Sequence, residues 1–433
     1  MTPGKIFQKR PRQTLNRFFG STTANYRPSS WLRRSPGSWG WRGLLVGLCV
    51  TIGEAKLAGG QVAASRSGHA LARAEPSPYR ILVAAESEDQ VALVEFRPCG
   101  PTGAARACGA VVARTYAVGV NPVEIEGPHG VVASRDGRSF YVSMAHGRPY
   151  GSLLRYDLAS GSLTGQVELG MFPATIDLSA AGDLAYVVNF NFHDPAMQPS
   201  SLSVVDVATF EEVARTRTCR MPHGSRMAAD GAHHYSACMM DDLLVEVDVR
   251  TARVSRMLRL TSGSEGAVAV DDLSREHHAG HDASTRPSPT NPCSPTWAQP
   301  SIDGRTVWVA CNRSNEIVIV DVASWRVVKR VNAPATPYNM ATTADGSLMV
   351  VTQKGPGSTT LWRTRDASLV AEVRGSRRIA SGVVVSADSR FAFVTLEGKN
   401  DDPGTLDIID LMARKAVASV NVGKQAGGVA VVR

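Results

Sequence analysis

From residue 80 onward the chain alternates short apolar runs with polar turns, and the same order returns seven times. Each copy opens on a Pro-containing step. An apolar stretch follows, then an Asp/Gly turn, a second apolar stretch, a polar loop, and a period-two strand that ends in Asp. Clear copies are PHGVVASRDGRSFYVSMAHG (128–147), SPTWAQPSIDGRTVWVACN (294–312) and TPYNMATTADGSLMVVTQ (336–353). The turns begin at Asp136, Ala181, Asp230, Asp303, Asp345 and Asp388, and their Asp and Gly residues suit tight hairpins that need left-handed backbone. Alternating third strands follow in SLLRYD, SLSVVD, LLVEVD, EIVIVD and TLDIID, each leading to a fourth.

The central residue of the second strand serves as a marker: Leu82, Tyr141, Tyr186, Tyr235, Trp308, Val350 and Phe393. Successive markers lie 59, 45, 49, 73, 42 and 43 residues apart, so the first and fourth units carry insertions. Four strands per unit at this period predict an all-β fold, a seven-bladed β-propeller of antiparallel blades spanning 79–433. The first unit lacks an innermost strand, while the chain ends in a lone strand of that type, QAGGVAVVR. The pattern therefore predicts that the C-terminal strand completes the first blade, because closing the ring removes exposed sheet edges. A flexible insertion is expected over 262–292, of which 274–292 is rich in turn formers and lacks apolar periodicity.

Residues 1–78 have a different composition, with 12 Lys/Arg against Glu54 and Glu75. The remaining 35 basic and 37 acidic residues leave the propeller near −2, so the overall charge of +8 belongs to the leader. That distribution argues against a nucleic-acid partner, which would need basic groups gathered on the folded domain. Arg33, Arg34 and Arg42 precede an apolar core at 43–53, followed by small-residue sites at 62–64 and 70–72. This order is that of a secretory signal peptide with a core too short to span a bilayer, so export to the periplasm or medium without a stable membrane anchor is expected. A monomer is the expected state. The six cysteines beyond the leader fit disulfides in an oxidising compartment. Folding the hairpins about Asp230 and Asp303 pairs Cys219 with Cys238 and Cys293 with Cys311, and a local hairpin pairs Cys99 with Cys108.

The marker strands YVSM, YVVN, WVAC and FVTL and the segment TLDIIDLMARKAVASVNVGKQAGGVAV (405–431) resemble the YVTN-repeat β-propellers over nearly all of the chain after residue 79. The resemblance implies the fold. It constrains function little, since the family includes surface-layer, periplasmic and quinoprotein-like propellers, and related seven-bladed propellers include lactonases.

Blade geometry places the start of the innermost strand, the loop after the second strand and the inter-blade connection on one face. At the position after the opening Pro the blades present His129, Ala174, His223, Thr296, Tyr338, Ser381 and Gly427, expected to ring the mouth of the central channel. His146 and His193 fall in loops on the same face, as do His277, His278 and His281 in HHAGH. His233 and His234 fall on the opposite side. His129, His146, His193, His223, Thr296, Tyr338 and Ser381 are thus the candidate ligand-binding residues. His129 and His223 could bind copper or another transition metal, or the PHG histidine could simply bond a neighbouring loop. TCRMPHGSR with YSACMMDD gathers Cys219, Met221, His223, Cys238, Met239, Met240, Asp241 and Asp242 toward one rim, a soft-ligand set that suits copper if the cysteines are reduced, or a disulfide with packed methionines if they are not. HHAGH alone offers three imidazoles to a metal. Arg226 and Asp241 read as an inter-blade ion pair. Asp401-Asp402 and Asp271-Asp272 read as exposed loop charge, with calcium as the alternative. No CxxCH, GxSxG or phosphate-binding GK[ST] loop occurs. The leading expectation is an exported module that binds a protein or small molecule through its histidine-bearing face. A metal-dependent enzyme and a lactonase-like hydrolase are the alternatives.

Overall fold

The computed structural model describes residues 77–99, 109–147, 150–194, 198–270, 292–399 and 401–433, all within the unit Arg73–Arg433. The apolar core expected for a signal peptide (43–53), Cys108, Asp271-Asp272 and the histidines of HHAGH lie outside the described residues.

Seven antiparallel sheets follow the seven repeats. Blade 1 contains β1 (Tyr79–Ala85), β2 (Gln90–Arg97) and β3 (Gly109–Ala117). Blade 2 contains β4 (Pro128–Ala133), β5 (Ser139–Met144), β6 (Ser152–Asp157) and β7 (Leu163–Glu168). Blade 3 runs from β8 (Pro173–Leu178) and β9 (Leu184–Asn189) through β10 (Ser201–Asp206) to β11 (Glu211–Arg217). Blade 4 has β12 (Pro222–Met227), β13 (His233–Cys238), β14 (Leu243–Asp248), β15 (Arg253–Arg259) and β16 (Gly266–Val268). Blade 5 has β17 (Pro295–Pro300), β18 (Thr306–Cys311), β19 (Glu316–Asp321) and β20 (Arg326–Asn332). Blade 6 has β21 (Pro337–Thr342), β22 (Leu348–Gln353), β23 (Ser358–Arg363) and β24 (Ser368–Arg374). Blade 7 has β25 (Ala380–Val385), β26 (Phe391–Leu396), β27 (Gly404–Asp410) and β28 (Lys415–Gly423).

The last strand, β29 (Ala426–Val432), lies antiparallel to β1 with Leu82 opposite Ala430, and it supplies the innermost strand of blade 1. Closure is reinforced where blade 7 meets blade 1. Tyr79, Phe96, Phe391 and Phe393 form an aromatic cluster there, and the Tyr79 hydroxyl donates to Asp388 at 2.6 Å. Edge-to-face rings of this kind add to the gain from burying their area. One expectation needs correction: the insertion after blade 4 is not wholly irregular, because its residues 266–268 form β16, a fifth strand on the edge of β15.

All seven blades turn into the innermost strand through a residue with positive φ: Gly127, Phe172, Met221, Ser294, Thr336, Ile379 and Gln425. For Phe, Met and Ile this backbone is costly, on the order of 1 kcal/mol or more each. A register shift then follows in β4, β8, β12, β17, β21 and β25, next to the position expected to ring the mouth. The kink and bulge together re-aim that side chain out of the ladder toward the channel.

The ring is also stitched from blade to blade. Side-chain donors reach the ring carbonyls of the following blade: Ser143 to Ala174, Thr175 to His223, His223 to Thr296, Thr296 to Tyr338, Thr352 to Ser381 and Thr395 to Gly427, at 2.7–3.0 Å. The glycine of PHG serves the same contact. A Cβ on Gly130 or Gly224 would stand 2.3 Å from the next blade's carbonyl, that of Ala174 or Thr296.

Cys219–Cys238 and Cys293–Cys311 are disulfides, with Cα–Cα distances of 6.0 and 4.5 Å, which indicates an oxidising environment. The expected Cys99–Cys108 pair includes a residue outside the described set. Among the described residues no helix is long and apolar enough to cross a membrane.

Candidate functional site

Six of the seven ring positions, His129, His223, Thr296, Tyr338, Ser381 and Gly427, line a cavity of about 510 Å³ at the channel mouth, while Ala174 is buried and does not reach it. A second set of lining residues comes from the end of the marker strand or just beyond it. Four residues after the markers stand Glu86, Phe190, Met239, Asn312, Lys354 and Glu397. His146 occupies the next position in blade 2.

The two ring histidines have different surroundings. His223 is buried, and the carbonyl of Thr296 can only accept, so Nδ1 carries the proton and donates to it at 3.0 Å. Nε2 is then an acceptor, and Tyr338 Oη donates to it at 3.0 Å. Burial, and after it the neighbouring His129, pushes the His223 pKa down to about 3, so the imidazole is neutral at physiological pH. Burial likewise raises the Tyr338 phenol. Lys354 Nζ lies 4.1 Å from the Tyr338 ring centroid and 2.9 Å from Glu397. Burial alone would favour neutral Lys354, but Tyr338 and Glu397 outweigh it, and its pKa is raised. The chain Thr296–His223–Tyr338–Lys354–Glu397 thus crosses blades 4 to 7.

His129 belongs to a second network. Its Nδ1 lies 3.0 Å from Glu86 Oε2, and His146 Nε2 lies 2.9 Å from Glu86 Oε1. His146 Nδ1 meets His193 Nε2 at 3.0 Å, so one buried carboxylate organises three imidazoles. Burial would raise the Glu86 carboxyl, yet His129 and His146 more than offset it and hold it well below the usual carboxylate range. Gly127 leaves the room His146 needs: a Cβ there would fall 1.9 Å from its Cδ2. The networks approach between His129 and His223, whose ring centroids are 5.9 Å apart, edge to face. Phe172 and Phe190 contact these histidines, and Phe192, about half exposed, stacks on Phe190.

The remaining candidates divide clearly. Thr296 is a buried inter-blade clamp, and Ser381 lines the mouth with its carbonyl bonded to Thr352. His233 bonds Asp230 at the opposite turn, while His234 is buried against Tyr186 and does not join the site. The soft-ligand reading required reduced cysteines, whereas Cys219 and Cys238 are joined. The ion pair expected between Arg226 and Asp241 does not form. Asp241 instead accepts from Arg220, and Arg226 stacks over Trp297 at 4.4 Å inside the cavity wall. Asp242 ties blade 4 to blade 5 through the Ser294 and Cys293 amides. Asp401 pairs with Lys424. Among the described residues no group of three or more His, Cys, Asp or Glu has the arrangement of a metal centre.

Glu86, Lys354, Glu397 and the phenylalanines were missed in the sequence reading. The repeat held the signal, since counting four residues on from each marker finds the first three and Phe190.

No model of a known protein family matches the chain, and no curated protein matches it either. Solved structures do. Hydrazine synthase of Kuenenia stuttgartiensis is 18% identical, covering 73% of this chain and 99% of that one with a TM-score of 0.53. The periplasmic gluconolactonase PpgL of Pseudomonas aeruginosa is 17% identical over 82% and 99%, with a TM-score of 0.58. A protein of unknown function from Desulfotomaculum acetoxidans is 11% identical over the same shares, with a TM-score of 0.57. At these identities the likeness establishes the fold alone: this chain is a seven-bladed β-propeller.

Proposed function

We propose that this chain is an exported, YVTN-type propeller that binds a small polar ligand at the histidine-bearing channel mouth. The carrying observation is the convergence of two hydrogen-bonded networks, Glu86–His129–His146–His193 and His223–Tyr338–Lys354–Glu397, on one open cavity. Acceptors at Glu86 and Glu397, a cation at Lys354 and an exposed face at Phe192 suit a molecule with hydroxyl or carboxyl groups around a compact frame. The two disulfides support work outside the reducing cytoplasm, and the small-molecule reading takes precedence over a protein partner because the polar groups face into a concavity.

The lactonase-like alternative draws on one feature, the neutral His223 bonded to Tyr338, an acid–base pair in a site whose fold is shared with a gluconolactonase. A copper or other metal site on His129 and His223 would require His223 to give up Thr296 or Tyr338. Glucono-δ-lactone and gluconate, followed by saturation-transfer NMR and by lactone consumption, separate the readings. Binding that falls about tenfold in His129→Ala and Phe192→Ser, each a loss near 1.4 kcal/mol, supports the binding module. Turnover abolished by Tyr338→Phe would favour the hydrolase. Absence of binding by these and a wider panel of monosaccharides and sugar acids would sink the mouth-ligand reading.

A further inference from the structure

A second hollow, of about 600 Å³, opens beside the mouth between blades 6 and 7. The two loops that carry Lys354 and Glu397 into the mouth continue into it, contributing Pro356 from one and Gly398 and Lys399 from the other. Its third side is the connection RGSRR, residues 374–378, and the hollow is lined by Arg374, Arg377, Arg378 and Lys399 against a single acid, Asp402. These four cations have no ion pair or side-chain hydrogen bond among the described residues. Other cations of the propeller are paired, as Arg256 is with Glu246, Arg330 with Glu265 and Glu316, and Arg220 with Asp241, whereas here four gather in one concavity.

The cluster is held in place from behind. Ser376, at the centre of RGSRR, donates its amide to Asp407 Oδ2 at 2.7 Å and its hydroxyl to Oδ1 at 2.6 Å. Asp407 is buried and also takes the Ser419 hydroxyl, and the Gly375 amide bonds the Gly357 carbonyl at 2.9 Å. The loop is therefore pinned by its small residues while its arginines point outward. Three net positive charges in one concavity, on a domain near −2, repel one another at a cost that an incoming anion would relieve. Guanidinium forks match the oxygens of phosphate in bidentate geometry, and the hollow is too large for a single orthophosphate.

We infer that the Arg374/Arg377/Arg378/Lys399 hollow is a binding site for a soluble compound carrying two or more phosphate groups. It stands independently of what the channel mouth binds. Inorganic pyrophosphate is the probe, titrated calorimetrically into the full chain at low ionic strength, with the Arg377→Gln/Arg378→Gln double variant alongside. The basic leader is the same in both proteins, so the difference between them isolates the hollow.

The expected result is saturable binding that weakens at least about tenfold in the double variant and falls with added salt, with an unchanged melting curve. His129→Ala at the mouth should leave pyrophosphate binding intact. Equal binding by both proteins, or none, overturns the inference. Retention on phosphatidylglycerol vesicles that is lost in the double variant but not displaced by pyrophosphate would assign the cations to a membrane surface, and would equally overturn it.

Discussion

His129 and His223 stand at the same position of two repeats, each within PHG, and the fold uses them in opposite ways. His223 is 4% exposed, holds the blade 4–5 junction through Nδ1, and is kept neutral by burial. His129 retains 21% side-chain exposure and pairs with a carboxylate that also holds His146. What differs is the neighbour. Blade 5 offers His223 a carbonyl, which cannot carry charge, whereas blade 1 offers His129 the anion Glu86. Identical local sequence thus yields a clamp in one place and a polarised, solvent-facing group in the other.

The largest difference between the two histidines is expected on removal of His223. Replacing it with Ala removes the donor to a buried carbonyl and the acceptor of a partly buried phenol, and should cost about 3 kcal/mol, against about 1 or less for His129→Ala. Urea unfolding measures both, and equal losses would erase the distinction.

Acid should expose it next. His223 and His234 are both depressed to about 3 by burial, while an unfolded imidazole titrates near 6.5. Between those values the unfolded chain binds more protons, so their stabilisation is complete above 6.5 and is lost as pH falls toward 3. Each imidazole contributes about 1.4 kcal/mol per pH unit to that slope. The lowered Glu86 carboxyl acts in the same direction below its ordinary range. In His223→Gln the stability slope measured from pH 6 to pH 4 should drop by one such increment.

On the His129 side, Gly127→Ala places a Cβ against His146 on a backbone with φ of 68°. It should cost about 1–2 kcal/mol and detach His146 from Glu86, visible as changed imidazole NMR shifts of His146 and His193 but not of His223. The smallest stability effect is expected for Phe192→Ser, within about 0.5 kcal/mol, with ligand affinity and not folding bearing the loss.

Much of this arrangement could be read from sequence because a repeat turns position into geometry. The markers Leu82 to Phe393 all fall in second strands, QAGGVAVVR closes the ring, and two hairpin turns pair four cysteines. The ring residues follow from the same alignment. What escaped depends on energy that a repeat does not display. Positive φ at Phe172, Met221 and Ile379 runs against residue preference and survives only because the closed ring enforces it. Glu86, within AAESED, becomes part of the site only through His129 and His146 of blade 2. Arg226 and Asp241 share a blade and opposite charge, but Arg220 reaches the carboxylate first.

The division between clamp and contact rests on the state of one imidazole. Long-range ¹H–¹⁵N NMR of the histidine rings observes it directly. His223 is expected to carry its proton on Nδ1, leave Nε2 bare, and stay untitrated between pH 7 and pH 5. A His223 that titrates near 6.5, or carries its proton on Nε2, would contradict that division.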